Sequence, residues 1–151
     1  MIVKKTVFSI ILVFLFIIFI CVLGLKINAR KMNIYKQQNS EYEKYLTSSI
    51  YGTDVITLIN MAISSNEVNN VQKDEKDYYI NNNLNSIQIN VIMITNEEKK
   101  ETTTYKMETI SKVGIQSFIE NFNTTKFLCT DVIYHKETGK IEQIEISQQY
   151  E

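Results

Sequence analysis

The sequence of 151 residues has no proline and no tryptophan, and it has only four glycines, two cysteines and one histidine. The cysteine count excludes a disulfide framework, and Cys21 lies within an apolar run while Cys129 lies far along the chain. Two cysteines and a single histidine also do not supply the ligands of a zinc site. The four glycines are scattered, which excludes a phosphate-binding loop. We therefore expect no metal and no cofactor.

The charge balance argues against a nucleic-acid partner. The formal net charge is −1, but Lys4, Lys5 and Lys26 lie in a start that contains no acid. Residues 27–151 carry 13 basic and 17 acidic side chains, a net charge of −4. A nucleic-acid surface needs clustered Lys and Arg to displace counterions. The dominance of Ile, Asn and Lys, with one Arg, is typical of proteins from AT-rich bacterial genomes.

What the sequence does contain is a long apolar run near its start. From Thr6 to Leu25 there are 20 consecutive uncharged residues, and a helix of that length spans about 30 Å, the hydrocarbon thickness of a bilayer. A removable signal peptide has a shorter apolar region that ends in an Ala-x-Ala-like cleavage site. No such site follows this run, and Ile20 before Cys21 does not fit a lipoprotein signal. A soluble core helix normally has a polar stripe, so we predict an uncleaved transmembrane anchor.

The charges that flank the anchor give conflicting evidence about its orientation in the membrane. Basic residues flank the run on both sides, so the positive-inside rule gives opposing signals. A short basic start followed by an apolar run is the arrangement of an exported signal anchor, and the acidic, cysteine-poor remainder is compatible with the outside. We expect a single-pass protein of the cell membrane with an extracytoplasmic head.

Residues 26–65 have the periodicity of an amphipathic helix. The stripe consists of residues at three- and four-residue steps: Tyr35, Tyr42, Tyr45, Ser49, Gly52, Ile56, Ile59 and Ile63. Gly52 is the predicted break, because glycine weakens a helix interior and Thr53 or Asp54 behind it can cap a new start. The alternative is that Ser49 and Gly52 mark the close approach of a neighbouring element. We prefer the break.

Residues 66–85 form a polar stretch whose Asn and Asp residues favour turns and left-handed backbone conformations. Residues 78–80 are a candidate short strand within it. The acidic residues Asp74, Glu75 and Asp77 raise a calcium hypothesis, but they lack the alternating spacing and the central glycine of an EF-hand loop. We interpret the stretch as a solvated loop.

Strand patterns dominate the rest of the chain. Between residues 86 and 95, apolar residues alternate and place Ile87, Ile89, Val91 and Met93 on one face. After a charged turn, residues 102–107 return as a second strand. Two further β-rich runs, 126–135 and 140–147, flank a hairpin signal at Thr138 and Gly139.

A short helix is predicted between the two strand pairs. Ile115, Phe118, Ile119 and Phe122 share one helical face, and Ser111 precedes them as a candidate N-cap. The whole pattern predicts an α+β fold. An N-terminal transmembrane helix continues into an amphipathic helix, and a small, mostly antiparallel sheet with one packed helix follows. The predicted divisions are a short basic N-terminus (1–5), the transmembrane helix (6–25), the amphipathic segment (26–65) and the α+β head (66–151).

The best constellation for chemistry is Cys129, Asp131 and His135. These residues share one face of a strand if its pleat is regular. A catalytic thiol needs a base that stabilises the thiolate, and usually a cleft. Polar or small residues that alternate on a strand are the ordinary outcome of a half-buried face. We therefore assign no catalytic, cofactor-binding or metal-binding residue.

The layout resembles the pilin and pseudopilin subunits of type IV filaments, type II secretion and Tad-type systems. In those families an N-terminal apolar helix continues into an amphipathic helix that carries a small antiparallel sheet. The resemblance implies that apolar helices pack among partners in the membrane while the sheet head is exposed. It is one of layout, since Val7 rather than glycine precedes Phe8 and the first glutamate is Glu41.

Two functional hypotheses follow from the sequence. The first is a membrane-anchored structural or assembly subunit, without enzymatic activity, whose partners are the lipid bilayer and proteins that contact the apolar and amphipathic helices. The second is a membrane-tethered binding or enzymatic head with a site at Tyr51, in the polar loop 66–85, or at Cys129, Asp131 and His135. The lack of a ligand-type cluster favours the first.

Overall fold

The structure is a computed structural model that describes the backbone of residues 2–96 and 98–150 and the side chains of 12–30, 35, 37–96 and 98–150. The chain forms two compact units, Met1–Lys36 and Gln37–Glu151. The elements are, in chain order, α1 (Ile2–Leu46), β1 (Ile50–Tyr51), α2 (Gly52–Val68), β2 (Gln88–Asn96), β3 (Glu101–Lys106), α3 (Met107–Val113), α4 (Ile115–Phe122), β4 (Lys126–Tyr134) and β5 (Ile141–Gln148).

The second unit contains a five-stranded sheet in the order β1-β4-β5-β2-β3. Both predicted hairpins, β2 with β3 and β4 with β5, are antiparallel, and so is the short pair β1 with β4. The central pair β2 with β5 is parallel: the chain leaves β3 through α3 and α4 and returns as β4, and the β4–β5 hairpin then places β5 beside β2. The predicted α+β fold with a mostly antiparallel sheet is confirmed.

The core of the second unit lies between the sheet and its helices. The predicted face of β2 is confirmed, since Ile87, Ile89, Val91 and Met93 are all buried. Strand β5 adds alternating buried isoleucines, and α2 adds a stripe of small and branched apolar residues: Val55, Ile56, Leu58, Ile59 and Ala62. More than the one predicted helix contacts the sheet, because both α2 and α3 pack against β2.

The predicted helix break at Gly52 is confirmed, with a different cap. Helix α1 ends at Leu46 and α2 begins at Gly52. The cap residue is Tyr51 rather than Thr53 or Asp54. Asp54 stands three residues inside the helix, where its Oδ2 accepts a hydrogen bond from the Tyr51 amide at 3.2 Å. A carboxylate in the first turn satisfies a free amide and faces the positive end of the helix dipole.

Gly52 also meets the alternative prediction of a close approach. A Cβ at this position would lie 2.0 Å from the carbonyl oxygen of Phe122 at the end of α4. Only glycine lets the two backbones approach to this distance. The hydroxyl of Ser49 instead donates to Oε1 of Gln149 at 2.8 Å, and the Phe127 carbonyl oxygen lies 3.3 Å from it as a second acceptor.

The predicted start of the helix, with Ser111 as its N-cap, is wrong. Two helices occupy this segment, and Ser111 lies inside α3 rather than at a cap. The break falls at Gly114, whose φ of +120° is outside the helical range. The predicted apolar face holds for α4, in which Phe118 is buried and Ile115, Ile119 and Phe122 pack against the core.

The predicted loop begins at Asn69, since residues 66–68 are the last of α2. From there to residue 85 the stretch is a loop, as predicted, and hydrogen bonds from its own side chains order it. Asn70, Asp77 and Asn83 adopt positive φ angles. The Asn82 Oδ1 accepts hydrogen bonds from the amides of Leu84, Asn85 and Ser86. The strand proposed at residues 78–80 is reduced to one isolated bridge between Lys73 and Tyr79.

Candidate functional site

The first candidate is the apolar part of α1. Within the described residues, one helix is long and apolar enough to cross a membrane, over Leu12–Arg30, with a mean hydropathy of 2.6. No part of this stretch is buried. Nineteen helical residues extend about 28 Å, close to the hydrocarbon thickness of a bilayer. In length and composition the segment matches the predicted anchor, although a signal sequence has similar properties.

The C-terminal end of the same helix belongs to the second unit. Tyr42 and Tyr45 are 5 % and 1 % exposed and join the core. Both belong to the predicted amphipathic stripe, and the stripe is buried at these two positions. The chain therefore passes from an apolar exposed stretch to a folded core within one helix, Ile2–Leu46.

The second candidate is a cleft of about 580 Å³ in the second unit. It opens between the last turns of α1, the outer face of α2, the residues before β2 and the start of β5. Amides, hydroxyls and a few apolar side chains line it: Gln38, Asn39, Glu41, Tyr42, Thr57, Asn60, Met61, Ser64, Ser65, Val68, Asn69, Asn85, Ile87, Lys140 and Ile141.

Asparagine side chains fix the walls of the cleft. The Asn39 amide donates to the Gly139 carbonyl at 2.8 Å, and its oxygen accepts from the Ile141 amide at 3.0 Å. The Asn85 amide donates to the Asn69 oxygen at 3.2 Å across the opposite side. These bonds join α1 to the β4–β5 turn and the end of α2 to the polar loop, so four segments are held around one opening.

The lining of the cleft contains few charged side chains. Glu41 and Lys140 are the charged residues in its lining. Burial, with a smaller effect of the Glu41 charge, raises the pKa of Tyr42 to about 12, and a hydrogen bond with Ser65 partly opposes this. Burial also lowers the pKa of Lys140. The described lining offers hydrogen bonds to a polar ligand but no nucleophile with an adjacent base.

Cys129, Asp131 and His135 occupy three different environments. Strand β4 has register shifts between Cys129 and Asp131 and again between Ile133 and Tyr134, so the regular pleat on which the grouping depended is absent. Asp131 is exposed, whereas His135 is 1 % exposed and contacts Ser86 and Glu142. Burial raises the pKa of the Cys129 thiol, which is the reverse of what a catalytic thiol needs.

Two of the three acidic residues of the polar loop, Asp74 and Asp77, form hydrogen bonds or ion pairs within the protein. The Asp74 Oδ1 accepts from the amides of Lys76 and Tyr78, both at 2.9 Å. Asp77 forms ion pairs with Lys73 and Lys112, and the Lys73 hydrogen bond lowers the pKa of Asp77 most. In the part of the chain that the structure describes, no three potential metal-ligating side chains cluster.

The cleft was not foreseen from the sequence. Asn39 is a polar residue near an apolar helical stripe, and Asn85 and Lys140 read as ordinary loop and turn residues. No local pattern connects them, because their contacts span about a hundred residues of chain. Comparison of the chain with protein-family models, with curated proteins and with solved structures finds no match.

Proposed function

We propose that the chain is a single-pass, membrane-anchored structural or assembly protein whose α+β head works at the membrane surface. One observation carries the proposal: the stretch Leu12–Arg30 is apolar and entirely unburied. Water-exposed apolar patches on soluble monomers rarely exceed a few hundred Å². Burying each large apolar side chain contributes about 1.5–3 kcal/mol. A bilayer, or partner helices within it, supplies this burial.

The head supports a structural role more than a catalytic one. Its ionisable groups are mostly exposed or paired, and the one thiol among the strands has a raised pKa. In the proposal the apolar and amphipathic parts of α1 make the partner contacts, as the pilin-like layout implies, and the head is extracytoplasmic. The acidic excess of the head suits a domain that stays in solution beside the membrane.

Membrane fractionation with protease access tests the proposal. The full chain, tagged at its C-terminus, is expected to remain in the membrane after alkaline carbonate extraction at its unprocessed mass. Protease added to intact cells should then digest the tagged head. A control protein of the cytoplasm, intact in the same cells, shows that the membrane is closed.

Two outcomes would contradict the proposal in different ways. Recovery of the head in the aqueous fraction, without its first 25 to 30 residues, would identify the apolar segment as a removed signal sequence. A membrane-bound chain whose tag is protected until the cells are lysed would keep the anchor and reverse its orientation.

A second candidate function is ligand binding by the head, and the cleft of about 580 Å³ favours it. A volume of this size is typical of small-molecule sites. Gln38 and Asn60 are among the polar residues of its lining, and both are exposed. Binding would place the ligand beside the last turns of α1.

A blocking substitution separates the two functions. Asn60→Arg should obstruct the cleft without disturbing the core, because Asn60 is exposed on α2. Asn121→Arg on α4, outside the cleft, is the matched control. If only Asn60→Arg abolishes the function of the protein in cells, and both variants are retained in the membrane as the wild type is, the head acts by binding a ligand. Equal behaviour of both variants would contradict a role for the cleft.

A further inference from the structure

The side chains that line the cleft of about 580 Å³ differ in burial from its floor to its rim. Buried Tyr42, Ile87 and Ile141 close the floor. Asn39 and Asn85 are half-buried in the walls. The exposed residues of the rim are Gln38, Glu41, Thr57, Asn60, Ser64 and Val68. A ligand that enters the cleft therefore meets mainly neutral amide and hydroxyl groups.

The two wall asparagines are held by the protein and keep capacity for a ligand. Among the described residues, Asn39 forms two side-chain hydrogen bonds, one as donor and one as acceptor. Asn85 likewise donates once and accepts once. An asparagine side chain has two hydrogens to donate and an oxygen with two lone pairs. Each of these amides is thus fixed in place with one hydrogen and one lone pair to offer.

The helical walls present groups of the same kind. Thr57, Asn60 and Ser64 are three and four residues apart, so they lie on one face of α2. Gln38 lines the same opening from the last turns of α1. Amide and hydroxyl side chains both donate and accept hydrogen bonds. The walls therefore suit a ligand whose own groups also do both.

The charges of the lining point to a neutral ligand. Glu41 and Lys140 are its charged residues, and their signs are opposite. Burial lowers the pKa of Lys140, which disfavours the charged form of this amine. Phosphate and carboxylate ligands are typically bound by clusters of Arg or Lys. The described lining contains no such cluster.

The polarity of the lining also argues against apolar and peptide ligands. An apolar ligand would bury the amides without hydrogen-bond partners, which is costly. A peptide strand binds through backbone groups at the edge of a sheet, whereas two walls of the cleft are helices, whose backbone groups are occupied by the helix itself. A partner helix needs an apolar stripe, and the exposed apolar residue of the rim is Val68.

We propose that the cleft binds a neutral saccharide, either a free sugar or the end of a polysaccharide chain. Adjacent sugar hydroxyls match the hydrogen and the lone pair that each fixed asparagine offers. The C–H face of the sugar ring packs against Met61 and Val68 of the α2 wall. The inference rests on the second candidate function, ligand binding by the head, and names its ligand class.

Binding is measured on the full chain in a zwitterionic detergent, because a detergent with a sugar headgroup would itself offer the proposed ligand. The probes are maltose, cellobiose and N,N′-diacetylchitobiose, each titrated while denaturant unfolding is followed. A sugar that binds only the folded head lowers the unfolding equilibrium constant about elevenfold at ten times its Kd. Sugars also stabilise proteins through exclusion from the surface, so only a saturable effect counts as binding. We expect a saturable effect from at least one probe.

Asn60→Leu tests whether hydrogen bonds hold the sugar. Leucine is close to asparagine in size and Asn60 is exposed, so the variant should fold. We expect its affinity for the sugar to fall about fivefold, as for the loss of one hydrogen bond. Asn121→Leu, at an exposed asparagine of α4 outside the cleft, is the matched control and should bind as the wild type does. Equal affinities of the two variants would contradict the proposed contacts.

Two results would overturn the ligand class. One is the absence of a saturable effect with all three disaccharides. The other is tighter binding of glucose 6-phosphate than of any neutral sugar, since it would indicate an anion site at Lys140. If a disaccharide binds, its hexamer separates the two sources of ligand. Equal or tighter binding of the hexamer indicates a polysaccharide end, and its exclusion indicates a free sugar.

The variant Asn60→Arg distinguishes failure of this inference from failure of the candidate function. If Asn60→Arg abolishes the function of the protein in cells and no disaccharide binds, the cleft binds a ligand of another class and the saccharide inference alone is wrong. If Asn60→Arg has no effect in cells and no disaccharide binds, ligand binding by the head is wrong as well. Retention of the chain in the membrane is measured separately from both.

Discussion

Gly52 is the residue at which backbone geometry, rather than side-chain chemistry, decides the packing. We expect Gly52→Ala to destabilise the head by at least about 2 kcal/mol, because its Cβ would lie 2.0 Å from the Phe122 carbonyl oxygen. In an unobstructed helix the same change would stabilise by about 0.5–1 kcal/mol. The sign of the change in unfolding free energy, from denaturant titration, therefore reports the close approach directly.

Gly24→Ala provides the control for this prediction. No atom lies within 4 Å of the Cβ position at Gly24, so the stability of the head should not change. A stabilising or neutral effect of Gly52→Ala would show that α2 and α4 do not approach as described.

Tyr42 gives the head an alkaline pH dependence. Its pKa of about 12 lies above the ordinary value of 10.0, because burial disfavours the phenolate. The unfolded chain releases this proton near pH 10 while the folded chain retains it, so stability falls as the pH rises from 10 to 12. By pH 11 the loss is about 1 kcal/mol.

Tyr42→Phe removes this dependence. At pH 7 the variant should be about 1 kcal/mol less stable than the wild type, since it lacks the Ser65 hydrogen bond. The difference should shrink or reverse by pH 11, as measured by denaturant unfolding. Tyr51→Phe, at an exposed tyrosine, should show no such change, and a parallel response of the two variants would contradict the burial effect.

At the scale of elements, two asparagines join helices to strand ends, each through a pair of hydrogen bonds from its side-chain amide. The Asn66 amide donates to the Ile87 carbonyl and its oxygen accepts from the Ile87 amide, both at 2.8 Å. Asn39 makes the equivalent pair of bonds with Gly139 and Ile141. Asn66 is fully buried, whereas Asn39 is partly exposed.

The two substitutions to alanine should differ in cost. Asn66→Ala leaves a buried amide and a buried carbonyl of Ile87 unpaired, for which we expect about 3 kcal/mol. Water can replace the lost bonds in Asn39→Ala, so we expect about 1 kcal/mol. Denaturant midpoints of both variants measure the difference, and equal costs would contradict the role assigned to burial.

The elements also show where local pattern reasoning holds and where it fails. The alternation of Ile87, Ile89, Val91 and Met93 predicted the buried face of β2, because a period of two has only one interpretation in a half-buried strand. Ser111 was misread as a cap because its residue type is right for that role. The chain had already entered α3 at Met107, and the break is set by the backbone of Gly114.

At the scale of the whole molecule, charge and apolarity are divided along the chain. Residues 1–36 carry six basic and no acidic side chains, whereas residues 37–151 carry ten basic and 17 acidic ones. The apolar stretch Leu12–Arg30 lies within the first of these. This division suits an anchor with basic flanks and a soluble acidic head.

Charged substitutions in the apolar stretch should release the chain from the membrane. Ile18→Arg with Val22→Arg adds a cost of about 5–7 kcal/mol for two arginines near the centre of a spanning helix. The fraction retained after carbonate extraction should fall strongly. Val113→Arg with Ile133→Arg, at exposed apolar residues of the head, should leave retention unchanged, and the reverse result would locate membrane binding in the head.

The sequence by itself determined the apolar segment, the strand pairs, the turn at Gly139 and the helix break at Gly52. Each of these depends on residues within a few positions of one another, where periodicity and residue type act directly. Tertiary structure alone decided four features: the parallel pairing of β2 with β5, the approach of Phe122 to Gly52, the cleft, and the contacts of His135 with Ser86 and Glu142. Each includes contacts between residues about 50 to 100 positions apart, such as His135 with Ser86 and Asn39 with Gly139. Whether a histidine faces solvent, a thiol or a carboxylate depends on which strands pair, and no local pattern specifies that pairing.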